Sequence, residues 1–240
     1  MPAVLVHGVP DTHRMWDRLR SRLRRQDVIT VSLPGFGVRV PPGFAATKEA
    51  YVDWLIAEIE RIAAPVDLVG HDWGSLLVQR VVSLRPDLIR SWACGDGPVD
   101  VEYVWHDLAR QWQTPGVGEQ IMAAFTPEAL TEGLVGAGVP RADAAETARH
   151  VDETMKDCIL RLYHSAVNVG REWQPDVERV TRPALILWSR DDPYVAPLFA
   201  ERLARRVRGE LVLFEGCGHW WPLERAPEAA AALERFWARQ

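Results

Sequence analysis

Between an apolar run, Val66-Asp67-Leu68-Val69, and a helical pattern extending from Leu76 through Val82, the chain reads Gly70-His71-Asp72-Trp73-Gly74. Glycines placed two residues either side of a polar side chain let the backbone leave a strand and enter a helix in one sharp turn. The middle side chain is thereby lifted above the sheet at a helix N-terminus. This stretch demands strand, turn and helix in succession, and it presents a carboxylate, Asp72, where a nucleophile is exposed.

The remainder of the chain supplies a scaffold of the same kind. Ala3 to Val6 is a short apolar run ending in His7-Gly8-Val9-Pro10, which reads as a buried strand delivering a tight loop. A helix is expected over 13–25, and a second strand over 28–33, stopped by Pro34-Gly35. Thr47 is a plausible N-cap for a helix carrying Tyr51, Leu55, Ile59 and Ile62 at helical spacing. Strands follow at 65–69 and 89–94, the latter ending at Gly95-Asp96-Gly97-Pro98. From 98 to 175 no strand-like run occurs, and helices are expected near 101–112, 118–135 and 141–169. Alternation resumes with a strand at 184–188, a helix near 196–208, a strand at 211–214 and a helix near 227–238.

Strands separated by helices predict an α/β fold with a mostly parallel sheet flanked by helices, whose sites lie at the carboxyl ends of the strands. The expected organisation is a core of residues 1–97 and 176–240 with a helical insertion at 98–175. His7, Asp72, Asp96, Asp192 and His219 each follow a predicted strand. At 240 residues and 48% hydrophobic, one well-buried domain is expected.

A net charge of −5 gives no reason to expect nucleic acid or an anionic membrane as partner. The arginines between 14 and 25 read as a solvated helix face. Three widely spaced cysteines fit reduced thiols and a cytoplasmic location. The N-terminus lacks the basic start and apolar stretch of a signal peptide, and no run approaches the roughly 20 apolar residues of a membrane span. No histidine has metal-ligand spacing to a partner, so no metal is expected. His7 and His71 are expected to hold loops by hydrogen bonding.

Transfer through a covalent intermediate requires a nucleophile, a base, an acid orienting the base, and donors for developing charge. Asp72, then Asp192 in Asp191-Asp192-Pro193, then His219 in Gly216-Cys217-Gly218-His219 supply the first three in the order nucleophile, acid, histidine. Asp96 is the alternative acid, and Asp191 is expected to be exposed.

With these motifs together the sequence resembles the α/β-hydrolase superfamily over nearly its whole length. The His-Asp-Trp-Gly elbow and the His-Gly-X-Pro loop are similar to those of epoxide hydrolases and haloalkane dehalogenases, both of which form an alkyl ester on aspartate. The resemblance implies an oxyanion hole from the backbone N–H groups of Val9 and Trp73, and a cap domain at 98–175. It also implies Tyr163 as proton donor to an epoxide oxygen. The family's other cap tyrosine would fall near Leu108, so Tyr103 and Trp112 are the alternatives, with Trp105 and His106 behind them.

Many dehalogenases carry a halide-binding asparagine where this chain has Val9. With Tyr163 present, the expectation is hydrolysis of an epoxide to a vicinal diol without a cofactor. Haloalkane dehalogenation is the alternative, and a non-catalytic ligand-binding member of the fold is the alternative of another class. Abundant tryptophan suits a small apolar or aromatic substrate. Family members usually carry a β-hairpin ahead of the first strand found here, and it is apparently missing. That would leave residues 28–33 at a sheet edge and suggests a homodimer through it.

Overall fold

The computed structural model describes residues 1–240. Six strands form one sheet: β1 (Ala3–Val6), β2 (Val28–Val31), β3 (Val66–His71), β4 (Ile89–Gly95), β5 (Ala184–Ser189) and β6 (Glu210–Phe214). Their spatial order is β2-β1-β3-β4-β5-β6, and every neighbouring pair is parallel. β1 and β3 are buried along their whole length; β1 is accordingly an unbroken apolar run, while β3 carries the buried Asp67, whose carboxylate accepts from Arg25, Arg90 and Ser91. β2 is an edge strand and only partly buried.

The core helices are α1 (Asp17–Arg20), α2 (Lys48–Glu60), α3 (Trp73–Leu84), α10 (Leu198–Val207), α11 (Trp221–Glu224) and α12 (Ala226–Trp237). Thr47 caps α2, its hydroxyl accepting the Ala50 N–H at 3.2 Å. The helix expected over 13–25 is shorter than anticipated. A 3₁₀ turn at His13–Trp16 runs into α1, which ends at Arg20.

Between β4 and β5 lie six helices: α4 (Asp107–Trp112), α5 (Val117–Ala123), α6 (Pro127–Gly136), α7 (Arg141–Ala148), α8 (Glu153–Ser165) and α9 (Val169–Val177). The long helical segments anticipated here are divided, and the divisions lie at caps. His106 accepts the Ala109 N–H, so α4 starts at 107 and not near 101. Thr126 followed by Pro127 opens α6, and Asp152 accepts the Met155 N–H at 2.8 Å to open α8. No helix is long and apolar enough to cross a membrane.

Candidate active site

Asp72 is the residue between β3 and α3, with φ 52° and ψ −122°. A Cβ at Gly70 would lie 2.2 Å from the Gly74 carbonyl oxygen, and one at Gly74 would lie 2.1 Å from that of Val6. Neither position tolerates a side chain, so the paired glycines are what allow α3 to start hard against β1 and β3. The turn leaves the Asp72 carboxylate facing a cavity.

The carboxylate is held from two sides. The Val9 N–H donates to Oδ1 at 2.7 Å, and His219 Nε2 stands 3.6 Å from Oδ2, an ion-pair distance too long for a hydrogen bond. Burial opposes ionisation of Asp72, but His219, His71 and the Val9 N–H prevail and hold its carboxyl below the usual range.

His219 follows β6, and its Nδ1–H donates to Asp192 Oδ2 at 2.7 Å. Asp192 Oδ1 accepts the N–H groups of Tyr194 at 2.7 Å and Val195 at 3.1 Å, which fixes the carboxylate in its loop after β5. Burial alone would lower the His219 pKa, yet the Asp192 and Asp72 carboxylates raise it well above the usual imidazole value. The two ionised carboxylates thus favour the protonated form of the imidazole.

Asp96, the residue after β4, also borders the cavity but turns its carboxylate to a different partner. Its two oxygens accept from the Ser189 N–H at 2.9 Å and the Ser189 hydroxyl at 2.8 Å. Burial, then the Asp192 charge, drives its carboxyl well above the ordinary range. It ties β4 to β5 beneath the site and makes no hydrogen bond to His219. Asp191 is exposed.

His71 Nε2–H donates to the His219 carbonyl at 2.8 Å and so steadies the base loop; burial, followed by the His219 charge, takes its pKa down to about 3. His7 Nε2 accepts the Leu33 N–H at 3.0 Å, linking the loops after β1 and β2; burial lowers its pKa to about 4. His71, Asp96 and His219 offer ligand atoms within 4.8 Å of one another, but each already serves one of the hydrogen bonds above.

The cavity over Asp72 occupies about 910 Å³ including its open mouth, and 15 of its 23 lining residues are hydrophobic. Its walls come from the core loops and from the helices between β4 and β5. Tyr163 of α8 is buried in that wall, its ring 5.4 Å from Trp73, 5.5 Å from Trp105 and 5.0 Å from Trp112. Burial and then the Asp72 charge push its phenol well above 10, so the hydroxyl keeps its proton.

Tyr103, Trp105, His106 and Trp112 also line the cavity. The indole N–H groups of Trp73 and Trp112 are buried without a hydrogen-bond partner. Two lining residues not singled out from the sequence are Tyr194, whose ring is 5.2 Å from His219, and Trp220. Tyr194 lies two residues beyond Asp192, so its place in the acid loop was the available signal.

The family model described as the alpha/beta hydrolase family matches residues 3–233. Among curated proteins, "Probable oxidoreductase EphD" of Mycobacterium bovis is 29% identical over 266 residues, covering 97% of this chain and 45% of that protein. The chain thus spans about half the length of that relative. A pimeloyl-acyl-carrier-protein methyl ester esterase of Neisseria meningitidis is 27% identical, covering 96% of this chain and 90% of the relative.

Among solved structures, haloalkane dehalogenase DbeA from Bradyrhizobium elkani superposes with a TM-score of 0.79 at 21% identity, covering 100% of this chain and 91% of that one. A thermophilic esterase from Thermogutta terrifontis superposes with a TM-score of 0.80 at 20% identity, covering 100% and 89%. At these identities the likeness is one of fold.

Proposed function

The chain belongs to the alpha/beta hydrolase family, and from that premise we propose that it hydrolyses an epoxide to a vicinal diol through an ester on Asp72. The observation that carries this reading is a carboxylate already seated on the Val9 N–H, in one cavity with a buried, protonated tyrosine.

Asp72 Oδ2 attacks an epoxide carbon, the carbon–oxygen bond breaks, and Tyr163 gives its proton to the departing oxygen. Attack through Oδ2 leaves Oδ1 as the ester carbonyl, still on the Val9 N–H. The His219 proton then returns to the Tyr163 phenolate by way of water. Esterification has removed the Asp72 charge, so the neutral imidazole is no longer held protonated from that side and can take a proton from water. Hydroxide adds to the ester carbon. Val9, with the Trp73 backbone N–H, receives the oxyanion. Collapse expels the diol alkoxide, which is protonated at the expense of the Asp72 carboxylic acid, and the starting charges are restored.

Displacement of halide by the same aspartate is the second reading. The unpartnered indole N–H groups of Trp73 and Trp112 favour it, because two such donors suit a departing anion.

The test is the intact mass of a His219→Gln variant after incubation with substrate. An epoxide adds its whole mass to the protein, whereas a haloalkane adds its mass less hydrogen halide. A folded variant that gains neither adduct overturns both readings.

A further inference from the structure

Asp11, one residue beyond Pro10, is buried with its two oxygens pointing to different parts of the molecule. Oδ2 accepts the Trp220 indole N–H at 3.0 Å, and Oδ1 accepts the Thr147 hydroxyl at 3.1 Å. Trp220 is the residue after His219, with its ring 4.8 Å from the imidazole at 82°, and it lines the cavity. Thr147 belongs to α7. Asp11 itself is two residues from Val9, whose N–H holds Asp72. One carboxylate therefore joins the loop after β1, the loop after β6 and a helix of the segment between β4 and β5.

Burying a carboxylate without a cation is costly, and both side-chain donors to Asp11, the Thr147 hydroxyl and the Trp220 indole, are neutral. An apolar side chain would fill the space at lower cost. What an apolar side chain lacks is the ability to hold two donors on separate elements in one geometry.

We infer that Asp11 is a positioning residue that fastens α7, the helix packed against the cavity-lining α6, to the loop carrying His219, so that the helical wall of the cavity and the base keep a fixed relation. Catalytic contact is not its role; it acts through Trp220 and Thr147.

Hydrogen exchange on the full chain, read by mass spectrometry, tests this without any substrate. Asp11→Leu removes both bonds at similar volume, and exchange should rise at least about fivefold in both 141–148 and 216–221. Thr147→Val removes one bond and should loosen 141–148 alone. Asp11→Asn can accept from Trp220 and donate to Thr147, and should leave both segments within about twofold of the wild type.

The kinetic arm rests on the reaction proposed above. On a turned-over epoxide, Asp11→Leu should lose at least tenfold in kcat, and Asp11→Asn should recover most of it. Wild-type exchange at 216–221 in Asp11→Leu overturns the inference. Should that variant fail to fold, unchanged exchange at 141–148 in Thr147→Val does the same. Absence of turnover by the wild type itself would count against the reaction and leave the exchange result standing.

Discussion

The Asp192 carboxylate lies 2.7 Å from His219 Nδ1, while both oxygens of Asp96, in the loop after β4, accept from Ser189. The two acids are therefore separable by substitution. Asp192→Asn should lower kcat by about a thousandfold or more, because an amide neither stabilises the imidazolium nor fixes its tautomer. Asp96→Asn should change kcat less than about tenfold, since burial and the Asp192 charge already disfavour an ionised carboxyl there and it makes no hydrogen bond to His219. Steady-state rates with melting temperatures for both variants check this, and equal losses would count against it.

Tyr163→Phe should slow ester formation from an epoxide on the order of a hundredfold to a thousandfold, the usual scale for loss of a general acid. Release of halide from a haloalkane should be little affected by the same change and should instead fall in Trp112→Phe. Single-turnover measurements on the two substrate classes distinguish these outcomes.

His219 should respond to the charge on Asp72. Its pKa is raised in the folded protein, so the ion pairs contribute stability fully below the unfolded value near 6.5, and this is lost as pH climbs through the folded value. Asp72→Asn removes one of the two anions and should shift the imidazole titration downward. Side-chain nitrogen NMR reads this directly, and an unmoved midpoint would refute the proposed switch from acid to base.

Asp11 has the opposite sign. Burial takes its carboxyl from an ordinary 3.8 up to about 6, so folding is penalised as pH rises between these values. At about 1.4 kcal/mol for each pH unit, the penalty above pH 6 is about 3 kcal/mol. Asp11→Asn should therefore be at least as stable as the wild type at pH 7 and relatively less so at pH 4. Urea unfolding at the two pH values measures the crossover.

Most of the candidate site could be located from the chain because its residues sit in short local patterns. The glycines around Asp72, the turn after Gly8 and the loop before His219 each reveal a backbone shape by themselves, and parallel strands bring their ends together. Tyr163 was legible only through resemblance, since nothing local marks a helical tyrosine as facing a carboxylate. The divisions at Thr126-Pro127 and Asp152 were visible as capping residues, yet continuous helical periodicity across them outweighed that signal. The Asp11 contacts span 136 and 209 residues of chain, and no local pattern encodes them. The partnerless indoles of Trp73 and Trp112 are likewise properties of packing.

The φ of 52° at Asp72 places a residue with a Cβ where glycine is at ease. A glycine there would relieve about 1 to 3 kcal/mol of backbone strain, at the loss of the carboxylate that the proposed reaction needs and of its contacts with Val9 and His219. Reactivity and durability thus compete at a single backbone torsion. A screen that rewarded heat resistance alone would drift toward silence at Asp72 before it touched the sheet.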